Sequence, residues 1–136
     1  MKKISLDTNA FIYFFEDPSV ALKLKPIFQQ AVNGKVQIIV PTILWTEILC
    51  IPFRENHKQL LSLYSSLDQK PFNLKFIEIN KKIAVEAARI RAQYSFKTPD
   101  SLFLATGLIK QVDIFLTNDQ RLHQFKELKI KTLAEL

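Results

Sequence analysis

The sequence predicts an α/β fold, a three-layer α/β/α sandwich around a central, mainly parallel sheet of four to five strands. Short apolar runs alternate with amphipathic helical stretches along the chain, which is typical of a parallel sheet with helical crossovers. The 136 residues, 48% of them hydrophobic, suit one packed core, and no repeat, linker or low-complexity stretch interrupts them. We therefore expect a single domain over residues 1–136.

Five short apolar runs are predicted to be the strands: residues 3–6, 36–40, 74–79, 113–116 and 130–133. The predicted helices are residues 9–15, residues 20–32, a helix opened by Pro41, residues 56–67 ending before Pro71, residues 80–94, a helix after Thr98, and a turn at residues 121–125. Asn33 and Gly34 form a helix stop, and Asn80 is an N-cap. Thr98 is a second predicted cap, with Pro99 at the first helical position.

Composition and charge narrow the class of protein. Lys and Arg number 19 against 13 Asp and Glu, a net charge of +6, which favours polyanionic partners and nucleic acid above all. The single cysteine, Cys50, excludes an internal disulfide and a zinc knuckle. Asp7 and Glu16 interrupt any signal-peptide core, and no apolar run approaches the roughly 20 residues of a membrane span. We expect a cytoplasmic protein without a membrane segment.

Polar residues follow two of the predicted strands: Asp7, Thr8 and Asn9 after the first, and Thr117, Asn118 and Asp119 after the fourth. Ligands of open parallel sheets bind at the carboxyl ends of the strands. If these two strands are neighbours, Asp7 and Asp119 converge. Each acid also has a purely structural interpretation, Asp7 as a helix N-cap and Asp119 as a turn or cap residue.

Two helices supply further acids. Glu47 falls on an apolar stripe whose other members are Leu44, Ile48 and Ile51. An ionised Glu facing a sheet is costly unless it is paired or bound to a metal, although a place at the margin of the stripe or a salt bridge to a Lys would also explain it. Asp100 lies in the first turn of its helix, where the helix dipole alone favours an acid.

The four acids together are more specific than any one of them. Carboxylates about 5 Å apart repel by about 3 kcal/mol per pair at an effective dielectric near 20, so a fold that converges them needs a cation. An all-oxygen ligand set suits hard metals, Mg²⁺ or Mn²⁺, and sites with two such ions cleave phosphodiesters.

Four segments carry a resemblance to a known family: residues 4–9, 41–49, 100–106 and 115–119, which contain Asp7, Glu47, Asp100 and Asp119. Through their order, spacing and coverage of the chain, the sequence resembles the PIN-domain ribonucleases and, among them, the VapC-type toxins of toxin–antitoxin pairs. The resemblance implies that the four acids are the catalytic residues and hold one or two Mg²⁺ or Mn²⁺ ions.

Further properties follow from the same resemblance. It implies hydrolysis of RNA phosphodiester bonds by metal-activated water, a homodimer, and inhibition by a cognate antitoxin protein. The supporting polar residues would be Thr8, Asn9, Thr117 and Asn118. The chain departs from the family in an unusually apolar segment, residues 49–53, which we expect to be core, with a dimer or antitoxin surface as the alternatives.

Binding of the RNA backbone would be salt-sensitive and would need basic side chains outside the acidic site. The candidates are Arg54, Lys97 and Arg121.

Three other functions stay open at this point. A phosphatase-like or receiver-like domain would use Asp7 as nucleophile or phosphoacceptor, although a haloacid-dehalogenase-like enzyme would have a second Asp where Asn9 stands. A PIN-domain nuclease could process RNA without being a toxin. A catalytically silent RNA-binding or structural module would not need its four acids intact.

Overall fold

The computed structural model describes residues 1–69 and 72–135 and shows a parallel sheet flanked by helices, which confirms the predicted fold class. The strands within these ranges are β1 (Lys2–Leu6), β2 (Val36–Pro41), β3 (Leu74–Ile77), β4 (Ile114–Leu116) and β5 (Ile130–Lys131). The helices are α1 (Thr8–Glu16), α2 (Pro18–Val32), α3 (Ile43–Arg54), α4 (Lys58–Ser65), α5 (Lys81–Tyr94) and α6 (Thr98–Ile109). Short 3₁₀ helices follow at Gln120–Gln124 and Leu133–Glu135. None of the described helices is long and apolar enough to cross a membrane.

The strand order β3-β2-β1-β4-β5 places β1 at the centre of the sheet, with β4 as its neighbour. All four strand pairs are parallel, and Leu6 of β1 is in register with Leu116 of β4. The backbone N–H of Asp7 continues this ladder by donating to the carbonyl of Leu116 at 3.3 Å. The carboxyl ends of the first and fourth strands are therefore adjacent, which the proposed convergence of Asp7 and Asp119 requires.

Apolar side chains enclose the sheet at this point. Leu6 and Phe115 are completely buried, as is Phe11 in the first turns of α1. The rings of Phe14 and Phe28 stack with their centroids 4.0 Å apart and join α1 to α2. Close packing of this kind holds the backbone that carries the polar residues at the end of β1.

The predicted N-cap of α5 is confirmed. The Asn80 side-chain carbonyl accepts a hydrogen bond from the backbone N–H of Ile83 at 2.9 Å, which satisfies one of the free donors of the first turn.

Replacing this cap tests its contribution to stability. We expect Asn80→Ala to lower the free energy of unfolding by about 1 kcal/mol, because Ala cannot accept the bond from Ile83. Asn80→Asp keeps an acceptor and is the control. Urea denaturation of both variants measures the difference, and equal stability of the two would contradict a capping role.

Two predicted helix starts are wrong. Pro41 ends strand β2 in register with Ile77, and α3 begins at Ile43, because the N–H of Thr42 still donates to the Ile77 carbonyl at 3.0 Å. Thr98 is itself the first residue of α6, and Lys97 occupies the cap position without a side-chain capping bond. Strand β2 therefore extends through Pro41, and helix α6 begins one residue earlier than the predicted cap at Thr98 indicates.

Other boundaries differ by a few residues. The third strand ends at Ile77 because Asn80 already caps α5. The fifth strand ends at Lys131, before the 3₁₀ helix that begins at Leu133. Helix α4 covers Lys58–Ser65, and the predicted stop at Pro71 lies outside the described residues.

The apolar segment 49–53 is not core, contrary to expectation. Ile51 and Phe53 are 54% and 65% exposed, and only Pro52 of this segment is buried. The buried positions of α3 are Leu44, Ile48 and Pro52, a spacing of four residues. Ile51 therefore does not share the buried stripe to which the sequence assigned it.

Candidate active site

Asp7 lies directly after β1 and is almost completely buried, at 9% exposure. Its Oδ1 accepts the backbone N–H of Ala10 at 3.0 Å and so caps α1, while its Oδ2 accepts the hydroxyl hydrogen of Thr117. The capping interpretation of Asp7 is thus correct. It does not exclude a catalytic role, because a carboxylate held by a helix start and by a neighbouring strand is a preorganised ligand.

Thr117 connects the two strand ends. Its side chain is completely buried, donates to Asp7 and accepts the backbone N–H of Asp119 at 3.0 Å. Donor and acceptor capacity of the hydroxyl are both used. Thr117 therefore sets the position of one acid directly and of the other through its backbone.

Asp119 and Asp100 meet at the guanidinium of Arg121. Asp119 caps the following 3₁₀ helix by accepting the N–H of Arg121 at 3.0 Å, and it receives Nε at 3.1 Å and Nη2 at 2.6 Å from the same side chain. Nη2 of Arg121 also lies 3.5 Å from Oδ2 of Asp100, in the first turn of α6. One cation thus pairs with two of the candidate acids.

The charges of three acids are coupled. Burial raises the pKa of Asp7 to about 6, and the charges of Asp100 and Asp119 add to this rise against the lowering effect of the Thr117 hydrogen bond. Burial, followed by the charge of Asp119, raises the pKa of Asp100, whereas the Arg121 hydrogen bond holds the pKa of Asp119 below its usual value. Mutual repulsion of this kind is what a bound cation relieves.

Glu47 is joined to the site through the side chain of Thr8. Thr8 Oγ1 donates to Glu47 Oε1 at 2.5 Å, and Thr8 is the first residue of α1 after Asp7. Glu47 is half-buried on α3, next to the buried Ile48. Unlike Asp100 and Asp119, Glu47 does not contribute to the pKa shift of Asp7. The structure therefore brings three acids into electrostatic contact and places the fourth one side chain away.

A cleft of about 230 Å³ at this edge of the sheet is lined by Asp7, Asn9, Tyr13, Asn118 and Asp119, and not by Asp100 or Glu47. The side-chain oxygen of Asn118, Oδ1, accepts the backbone N–H of Leu133 at 3.0 Å. Tyr13 was not among the predicted site residues. Its signal in the sequence is its spacing of four from Asn9, which places both on one face of α1.

The predicted basic residues differ in their relation to the acids. Lys97 is close enough for its charge to lower the pKa of both Asp100 and Asp119. Arg121 is paired with the same two acids. Arg54, by contrast, contacts none of these acids in the interactions described. Its guanidinium donates to the Cys50 sulfur at 3.6 Å, one turn earlier in α3.

The donor set fits a hard divalent cation. Every acid offers carboxylate oxygens, and the coupled charges of Asp7, Asp100 and Asp119 provide the negative potential. Within residues 1–69 and 72–135, however, no three His, Cys, Asp or Glu side chains are close enough together to hold a metal ion. The side chain of Arg121 lies between two of the candidate ligands.

Fold and site define an all-parallel α/β domain with carboxylates at the carboxyl edge of its two central strands. The sequence matches the family model of the PIN domain over residues 4–128, so the chain belongs to the PIN domain family, a family of nucleases. The resemblance to the PIN-domain family noted from the sequence is thereby confirmed. No curated protein matches the sequence significantly.

Solved structures share the fold at low sequence identity. A chain of a toxin–antitoxin complex from Klebsiella pneumoniae is 22% identical and has a TM-score of 0.68. The match covers 96% of this chain and 97% of the Klebsiella chain. DNA-bound VapBC from Salmonella typhimurium is 15% identical over 98% and 99% of the two chains, with a TM-score of 0.76. FitAcB from Neisseria gonorrhoeae is 19% identical over 98% and 99%, with a TM-score of 0.71. The likeness extends over nearly the whole of each chain.

Proposed function

We propose that this protein is a Mg²⁺- or Mn²⁺-dependent endoribonuclease and the toxin of a VapBC-type pair. The observation that carries the proposal is the coupling of Asp7, Asp100 and Asp119 at the carboxyl edge of β1 and β4 in a PIN domain. Burial and the charge of Asp119 raise the pKa of both Asp7 and Asp100, and such crowding of negative charge favours the binding of a divalent cation. The basic balance of the chain favours a polyanionic substrate.

Each side chain then has a definite task. Asp7, Asp100 and Asp119 would hold the cation, with Glu47 as a further ligand whose oxygen Thr8 orients. When bound, Mg²⁺ or Mn²⁺ supplies Lewis acidity, which activates water and stabilises charge on the phosphodiester. Thr117 keeps Asp7 in place through its hydroxyl, and Lys97 at the edge of the site would attract the RNA backbone.

The partners belong to the same proposal. The structures from Klebsiella pneumoniae and Salmonella typhimurium are a toxin–antitoxin complex and a DNA-bound VapBC, and both match nearly the whole of this chain. We propose a cognate antitoxin on this basis. The proposed homodimer follows from the sequence resemblance to VapC-type toxins, and the proposed cytoplasmic location from the single cysteine. A neighbouring reading frame for a small DNA-binding protein supports the toxin assignment, whereas its absence favours an RNA-processing nuclease.

Cleavage of RNA by the purified protein tests the enzyme assignment. We expect cleavage with Mg²⁺ or Mn²⁺, loss of activity in EDTA, and recovery when the metal is returned in excess, because the carboxylates cannot activate water without the cation. Gel analysis of end-labelled RNA measures the rate and identifies internal cuts.

A matched pair of variants on one helix connects the activity to the site. Glu47→Gln changes the acid that Thr8 contacts, and Glu55→Gln changes an exposed acid at the end of α3. We expect only the first to slow cleavage. Metal-independent cleavage, or RNA binding without cleavage under every metal condition, would overturn the enzyme assignment, the latter in favour of a silent binding module.

A further inference from the structure

Arg121 is unusual among the basic residues of the site because its guanidinium is shared by two candidate metal ligands. Nε and Nη2 form a two-pronged contact with Asp119, and Nη2 also approaches Asp100. A planar guanidinium suits such a fork geometry better than the point charge of an ammonium does. The group therefore occupies the place between two acids that repel each other.

The contact is also easily released. The Arg121 side chain is 55% exposed, whereas those of Asp100 and Asp119 are 25% and 27% exposed. Ion pairs open to solvent contribute little to stability, so the guanidinium can swing into water while the acids stay in place. Asp119 keeps two contacts that do not involve the guanidinium, since its N–H donates to Thr117 and its carboxylate accepts the backbone N–H of Arg121. The backbone of Asp100 belongs to the first turn of α6.

We propose that Arg121 is an internal counter-ion, which occupies the cation position between Asp100 and Asp119 in the metal-free protein and must move away for Mg²⁺ or Mn²⁺ to bind. This inference rests on the proposed metal-dependent function and assigns Arg121 a positioning role in it.

The consequence is a lowered apparent affinity for metal. When only a fraction of the protein molecules can bind the metal, the apparent affinity equals the intrinsic affinity multiplied by that fraction. If the guanidinium occupies the site in about nine of ten molecules, removing it increases the affinity about 10-fold.

Isothermal titration with Mn²⁺ measures this directly in the wild type, Arg121→Gln and Lys97→Gln. Lys97 is the matched control, since its charge also acts on Asp100 and Asp119 but through no hydrogen bond. We expect Arg121→Gln to bind Mn²⁺ about 10-fold more tightly than the wild type and Lys97→Gln to change the affinity much less. An equal gain in Mn²⁺ affinity in both variants would show that Arg121 acts only through its positive charge, and this would overturn the proposal.

Thermal unfolding in EDTA provides a second readout, independent of metal. We expect Arg121→Gln to unfold at a slightly lower temperature than Lys97→Gln. The exposed ion pair is weak, but its loss leaves Asp100 and Asp119 without their shared counter-ion. Saturating Mn²⁺ should remove this difference. An Arg121→Gln variant as stable in EDTA as Lys97→Gln would contradict the counter-ion role.

The two proposals fail in distinguishable ways. If neither the wild type nor Arg121→Gln binds Mn²⁺, the metal-dependent function is wrong and the counter-ion role is wrong with it. If the wild type binds Mn²⁺ and Arg121→Gln binds no more tightly, only the role of Arg121 is overturned. Binding by Arg121→Gln alone would support the counter-ion role strongly.

Discussion

Asp7→Asn is expected to reduce metal-dependent RNA cleavage by at least about 100-fold and, at the same time, to stabilise the metal-free protein. Loss of cleavage follows because an amide replaces the most deeply buried carboxylate of the site, and a few kcal/mol of lost metal stabilisation corresponds to factors of this size. Asn keeps the side-chain carbonyl that caps α1 at Ala10. Its amide nitrogen cannot accept the Thr117 hydrogen bond, so the loss of that bond offsets part of the gain in stability.

The gain in stability depends on pH in a definite direction. Burial raises the pKa of folded Asp7 from 3.8 to about 6, so between these values the folded protein holds a proton that the unfolded chain has lost. Stability therefore falls as pH rises through this window, and the full penalty of the buried charge is present above it. Two pKa units correspond to about 3 kcal/mol, which is the ceiling for the gain in Asp7→Asn above pH 6, whereas near pH 4 we expect almost no gain.

Urea denaturation in EDTA at pH 4.5 and pH 7.5 measures the change in stability, and RNA cleavage in Mn²⁺ measures the change in activity. Asp68→Asn is the control, since Asp68 is exposed and should show neither effect. A variant that cleaves RNA like the wild type would remove Asp7 from the mechanism. A variant less stable than the wild type at pH 7.5 would show that the lost Thr117 hydrogen bond outweighs the penalty of the buried charge, which contradicts the expected gain.

Thr117→Val is expected to lower the free energy of unfolding by about 1–3 kcal/mol and to slow RNA cleavage about 10- to 100-fold. The substitution keeps the shape of the side chain but removes the donor to Asp7 and the acceptor for the N–H of Asp119, both at a completely buried position. Loss of the hydrogen bond also raises the pKa of Asp7 further, since that bond lowers it. Partners that orient metal ligands have effects of this size on activity.

Thr106→Val provides a close control for this experiment. Thr106 is also completely buried, but its hydroxyl donates to the Leu102 carbonyl one turn earlier in α6, away from the acids. We expect a smaller loss of stability and unchanged cleavage. Measured unfolding free energies and single-turnover rates separate the two variants, and an equal loss of cleavage in both would show that Thr117 acts only through the stability of the core.

Local signals were sufficient for much of the fold and part of the site. Asn80 caps its helix as predicted, and Asp7 follows the first strand and caps α1, because a cap needs only the few residues beside it. The same local reasoning failed at Pro41, where the sheet continues to pair with Ile77. It also failed at Ile51, because burial of a helix face depends on which neighbours cover it.

What the sequence determined by itself is the order of the elements, the polar residues that follow β1 and β4, and the oxygen-rich character of the candidate site. Caps and periodicities act over a few residues, so they can be recognised along the chain. Only the tertiary structure decided that Thr117 holds Asp7, 110 residues away, and that Arg121 lies between Asp119 and Asp100. These contacts depend on the pairing of β1 with β4 and on the docking of α6 beside them, which no local pattern specifies.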